Sequence, residues 1–140
     1  MSMTSKPPSE TLPRIGTVEN PAMFSDGENV LLCYEVAPID GGGNVILEFE
    51  DVFHFEQNPM NVEGLGKSQY PVQAWSFCEV LGSKRTERWK MLGPRFWVIS
   101  FNDVTVEIVF KAIRIAHRNT SKTRPSEALK AFVQATDVPR

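Results

Sequence analysis

The sequence predicts an α+β, β-rich protein: six or so mostly antiparallel strands in meander order, forming a curved sheet or partial barrel, with one C-terminal helix. Three observations carry this expectation. Val45 to Glu56 alternates apolar and polar residues with period two; residues 95–110 hold two aromatic and β-branched runs separated only by Asn102-Asp103; and a single stretch, from Pro125, has helical spacing. An antiparallel sandwich is the alternative arrangement of the same strands.

The chain has 140 residues, enough for one domain to bury a core without disulfides or a structural metal. With 41% hydrophobic, 23% charged and 10% aromatic residues, its composition is that of a globular protein and not of a disordered one. The longest apolar runs, such as Val30 to Cys33 and Phe96 to Ile99, fall far short of the about 20 residues that a membrane helix needs. Met1 to Asn20 lacks the apolar segment of a secretory signal, so the expected location is the cytoplasm.

Residues 1–22 contain Pro7, Pro8, Pro13 and Pro21 among Ser, Thr and Lys, and read as a flexible N-terminal segment before a single domain over 23–140. Turn formers at 25–29 then introduce a strand from Val30 to Val36. Pro38 stops it, and Asp40-Gly41-Gly42-Gly43-Asn44 lets the chain reverse into a second strand. That strand is expected to run from Val45 to Glu56, with Val45, Leu47, Phe49, Phe53 and Phe55 on the buried face. Asp51 interrupts this face, and a bulge over 50–52 would turn it outward.

Asn58 to Gly66 is punctuated by Pro, Asn and Gly and reads as a loop. Strands are expected at Val72 to Leu81 and Thr86 to Leu92, then at 95–101 and 104–110 around a tight turn at Asn102-Asp103. The last strand continues toward Ile115, with a bulge or bend where its apolar phase changes at Phe110. Trp97, Ile99, Val106 and Ile108 should share one core with the buried face of 45–55. From Pro125, the spacing of Leu129, Phe132 and Val133 gives a helix over about 125–136.

The net charge of −2 hides an asymmetry. Residues 1–80 hold 3 Lys/Arg against 12 Asp/Glu, a net −9, and residues 81–140 hold 12 against 5, a net +7. Oppositely charged strands that pair across a sheet, or mixed solvated faces, explain this structurally. A basic surface for an acidic partner is the functional counterpart. The slightly acidic total argues against nucleic acid.

Candidate chemistry is sparse. Glu48, Glu50, His54 and Glu56 share a face if the long strand is regular, which offers either a divalent-metal site or a solvated face; the Glu-rich outward side of an amphipathic strand favours the second. Cys33 and Cys78 lack the close spacing of a zinc or redox pair and read as buried thiols, able to bond only if their strands are neighbours. His117 lies in a basic stretch with Arg114, Arg118, Lys122 and Arg124 and has no companion nucleophile in a recognisable frame. Lys84, Arg85, Arg88, Lys90 and Arg95 surround Trp89, but on a strand Trp89 would point away from Arg88 and Lys90 into the core. Gly41-Gly42-Gly43 lacks the Lys-Ser/Thr and helix of a phosphate loop.

No catalytic residue, metal or cofactor is assigned. The function expected is that of a non-catalytic protein-binding or self-associating domain; the alternative is a small-ligand binder or enzyme with its site in the concave face of the sheet. Phe96 and Val98 on one side of their strand, with Trp97, Ile99 and Phe101 on the other, leave an apolar face that one short helix cannot cover. A homodimer is therefore expected.

Overall fold

A computed structural model of the chain describes residues 3–59 and 73–136. Nine strands lie among them: β1 (Thr4–Lys6), β2 (Ala22–Ser25), β3 (Val30–Glu35), β4 (Asn44–Glu50), β5 (His54–Pro59), β6 (Phe77–Leu81), β7 (Arg95–Ser100), β8 (Val104–Phe110) and β9 (Ala112–Asn119). Helix α1 (Pro125–Thr136) follows. All pairings are antiparallel, in a five-stranded sheet ordered β1-β6-β7-β8-β5 and a four-stranded sheet ordered β2-β3-β4-β9. The β-rich α+β class is as the sequence predicts, with the strands divided between two packed sheets and no closed barrel.

Between the sheets lies one core. Leu32, Tyr34, Val45, Leu47 and Phe49 come from the four-stranded sheet, and Trp97, Ile99, Val106, Ile108 and Phe110 from the other. Phe49 meets the rings of Trp97 and Phe110 edge-on, at centroid distances of 5.6 and 4.9 Å. Such geometry sets the electropositive ring edge against an electron-rich face and adds to the gain from burial. Seven of the nine expected core residues join this cluster. Phe53 packs on the opposite side of the five-stranded sheet, and Phe55 is 40% exposed at its margin.

The reason is a correction to strand continuity. Val45 to Glu56 is not one strand: β4 belongs to the four-stranded sheet and β5 to the five-stranded sheet, with the chain turning at Asp51 (φ 52°). The phase change after Phe110 is the matching crossing, since β8 and β9 also lie in different sheets. The two crossings are bonded to each other. Lys111 N donates to Glu50 O (3.1 Å) and Phe53 N to Val109 O (2.8 Å), so the ladder continues around the corner from Glu50·Ala112 to His54·Val109. Backbone groups thus stay paired while both strands change sheets.

Each outer face has its own cover. Leu129, Phe132 and Val133 of α1 lie over Cys33 and Ile46 of the four-stranded sheet. On the other side, Val80, Phe96, Val98 and Val109 are packed by Phe53, Met3 and Trp89. The segment that carries Trp89 corrects another expectation, for Lys84–Leu92 is a 3-10 helix and not a strand. Ser83 O accepts both the backbone N–H (3.3 Å) and the hydroxyl (3.0 Å) of Thr86, closing a tight turn that alternation alone does not reveal. Trp89 then stacks on Phe53 at 5.9 Å.

The expected strand Val72 to Leu81 is shorter, beginning at Phe77 after a turn in which Trp75 has φ 47°. Val72 lies outside the described residues. Of the loop expected over 58–66, Asn58 and Pro59 belong instead to β5, and 60–66 lies outside the described residues. The turn at Asn102-Asp103 is as expected, with Phe101 N donating to Val104 O (2.9 Å). Residues 3–22, expected to be a flexible lead-in, supply β1 at a sheet edge, the buried Ile15, and Pro13 O, which accepts the Tyr34 hydroxyl (2.8 Å).

Candidate functional site

The inner faces of the sheets are filled by side chains, so open space is found at an end of the sandwich. There the β3–β4 loop, residues 17–19 and residues 120–124 wall a half-open cleft of about 590 Å³. Pro38–Asp40 forms a short 3-10 turn, after which Gly41, Gly42 and Gly43 all have positive φ. A Cβ on Gly43 would collide with the carbonyl of Asn119 and with Thr120, so only glycine lets the two walls approach this closely.

Side chains fix the remaining walls. Glu35 Oε1 accepts the amides of Val18 (3.1 Å) and Glu19 (3.3 Å), and Gly16 leaves room for that carboxylate. Asn44, 1% exposed, donates Nδ2 to Thr123 O (2.8 Å) and so holds the segment between β9 and α1 against β4. Arg118 donates to Asp40 O, and Arg124 lies 3.9 Å from Glu19 across the cleft. The surface of the cleft is mixed: Val18, Val36 and Pro38 give it apolar area beside the hydroxyls of Thr17, Thr120, Ser121 and Thr123 and the cations Lys122 and Arg124. This lining hydrogen-bonds and carries positive charge.

The residues singled out in the sequence disperse. Glu48 and Glu50 lie on β4, His54 and Glu56 on β5, and the sheet change separates the pairs. Arg114 of β9 bonds Glu48 and lies 3.6 Å from Glu50, while Asn29 Nδ2 donates to Glu48 (3.1 Å). His54 Nε2 is 3.8 Å from Glu56. Among the described residues, no three His, Cys, Asp or Glu side chains gather into a metal-holding group. Cys33 and Cys78 are free and lie on opposite outer faces of the sandwich; burial pushes the Cys33 thiol up to about 12.

His117 packs against Phe132 at 5.6 Å. Arg88 lies over the Trp89 ring at 4.7 Å, the reverse of their expected separation on a strand, because a 3-10 helix brings neighbours onto adjoining faces. Phe96 and Val98 are buried within the chain's own fold, which removes the premise from which a homodimer was expected.

Sequence reasoning missed one cluster. Arg95 donates to both oxygens of Glu10 (2.7 and 2.8 Å) and of Glu79 (2.8 and 3.1 Å), and Trp97 Nε1 donates to Glu79 (3.2 Å). Hydrogen bonding from Arg95 lowers the pKa of Glu10. Burial alone would raise that of Glu79, but Arg95 outweighs it and holds this carboxyl too below its ordinary value. Glu10 and Glu79 are distant in sequence, and no spacing signal could have joined them.

A second group is buried on the outer side of the five-stranded sheet. Ser100 and Thr105 are register partners whose hydroxyls find no hydrogen-bond partner among the described residues, beside Glu107, which accepts from Asn58 Nδ2 (3.2 Å). Among the described residues, no helix is long and apolar enough to cross a membrane. Comparison of the chain with family models, with curated proteins and with solved structures finds no match.

Proposed function

We propose that the protein is a non-catalytic binding domain that recognises a segment of a partner protein through the cleft at the β3–β4 end. The construction of the cleft carries this reading. Its two candidate acids, Glu35 and Glu19, are engaged by backbone amides and by Arg124, while four hydroxyls, Lys122, the glycine backbone and the apolar Val18 and Pro38 line its surface. Groups of this kind orient a polar chain segment and supply neither an activated nucleophile nor a poised base. A reducing compartment such as the cytoplasm suits two buried, unpaired thiols.

Selection of random peptides displayed on phage tests the reading. Peptides should be enriched by the wild-type domain, retained by Glu48→Gln, and lost by Lys122→Glu and by Gly42→Arg. Enrichment indifferent to both cleft variants would overturn it. Self-association is a second form of the same reading, favoured by Met91, which is 97% exposed beside the exposed Leu92. Sedimentation at micromolar concentration would then give twice the chain mass of 15.8 kDa, and Met91→Glu would return the monomer.

A further inference from the structure

Among the described residues four strands stand at sheet edges, and they differ in how well they are closed to another chain. β1 is three residues long and runs into Pro7-Pro8, β2 is four residues long and follows Pro21, and β5 ends in Pro59. Short length and proline are the ordinary protections of a sheet edge. β9 has neither. It is eight residues long, contains no proline, and among the described strands pairs only with β4, so alternate amides and carbonyls face outward.

Charge selects what can pair there. Between Glu107 and Glu127 the sequence contains no Asp or Glu, but it holds Lys111, Arg114, Arg118, Lys122 and Arg124 along with His117. Arg114 is shared between Glu48 and Glu50, and Arg118 is bonded to a neutral carbonyl and keeps its charge uncompensated by that contact. A second copy pairing β9 with β9 antiparallel would set Arg114 near Arg118 and His117 of its twin, an arrangement that like charges oppose. An acidic strand would meet complementary charge instead.

Apolar residues complete the pattern. Ile113 packs on the inner core and Ile115, opposite the core residue Leu47, is 45% exposed at the open edge of the sandwich. A strand added to β9 would place alternate side chains on the face of Ile113 and Ile115 and the intervening ones on the face of Arg114, with Lys111 and Arg118 flanking along the chain. The register shift between Ile46 and Leu47 twists the later half of β9, which leaves Ala112 to Ile115 as the regular part of the template.

We propose that β9 is a strand-addition site for an extended segment of a partner protein in which acidic and apolar residues alternate. The proposal rests on the reading of the protein as a binding domain and adds to it a partner chemistry and a mode of docking. Backbone pairing supplies affinity and the charged face supplies selectivity.

The test uses the full chain and a fluorescein-labelled peptide of eight residues alternating Glu and Val, the length of β9. Anisotropy should report binding that a Lys-Val peptide lacks, and amide shifts should map to residues 112–116. Methylating the amides on one edge of the peptide should weaken binding by about tenfold or more, since it removes pairing groups and leaves every charge in place. Binding unaffected by methylation would reduce the effect to charge attraction and overturn strand addition. Shifts confined to residues 17–19, 41–43 and 120–124 would overturn strand addition while leaving the cleft reading intact. A peptide that shifts neither region overturns the β9 proposal, and phage selection then decides the cleft reading separately. Protection of the 112–116 amides without peptide, at twice the chain mass, would show a second copy on β9 and overturn the acidic partner.

Discussion

Arg95 ties three parts of the chain together: Glu10 from the N-terminal segment, Glu79 from β6, and the ring faces of Trp97 and Phe110, each 5.5 Å from its guanidinium carbon. Glu79 is almost fully buried, so removing Arg95 would leave a carboxylate without its partner in a poor solvent for charge. Arg95→Ala should therefore destabilise by about 2 kcal/mol, below the figure for fully buried pairs because Arg95 keeps some exposure. Both carboxyls have folded pKa values below the ordinary value of 4.5. Their contribution is present above about pH 4.5 and is lost as pH falls through the depressed folded values. Chemical denaturation at stepped pH should show the wild type losing stability steeply below pH 4.5, with a flatter acid limb in Arg95→Ala. In the central core, Phe49→Ala should cost about 3–5 kcal/mol, since it empties the space between Trp97 and Phe110. A loss under about 1 kcal/mol would mean that the two sheets do not pack as described.

Among the elements, the paired crossings at 51–53 and 111 decide the architecture. Asp51 adopts φ 52°, a left-handed conformation that Asp tolerates and a β-branched residue does not, and its amide is held by Asn29 Oδ1 (3.1 Å). Asp51→Gly should leave stability unchanged or raise it by less than about 1 kcal/mol, whereas Asp51→Val should lower it by more than about 1 kcal/mol. Equal effects of the two, read from urea midpoints, would place the strain elsewhere. The charge asymmetry of the sequence is also resolved at this scale. Glu48 and Glu50 of β4 meet Arg114 of β9, Glu79 of β6 meets Arg95 of β7, and Glu19 meets Arg124. The acidic first part and basic second part are thus partly spent on each other, and among the described residues unpaired positive charge is left along the 3-10 helix over Lys84–Leu92 and along β9.

Across the whole molecule, residues 3–22 contribute a sheet edge, the buried Ile15 and two of the tethers named above, and the domain boundary expected at 23 cuts through these contacts. A chain beginning at Met23 should melt about 10 °C or more below the full chain, as expected from losing several kcal/mol in a domain of this size. An unchanged melting temperature would make those contacts incidental. By itself the sequence determined the β-rich class, the paired strands around Asn102-Asp103, the hairpin at Asp40 to Asn44 and the helix from Pro125. Each depends on interactions between near neighbours: side-chain alternation, turn residues and helical spacing. It left undecided which sheet each strand joins, because a strand that crosses a corner keeps its alternation and only changes the surface that its apolar face meets. Phe53 and Phe55 looked equivalent to Phe49 for this reason, and Thr86 to Leu92 looked like a strand because cover for Phe96 and Val98 is a demand of the packed sheet. Tertiary structure alone brought Gly43 against Asn119, set Glu35 under residues 17–19 and opened the cleft between them, since these contacts join segments far apart in the chain and leave no local pattern to read.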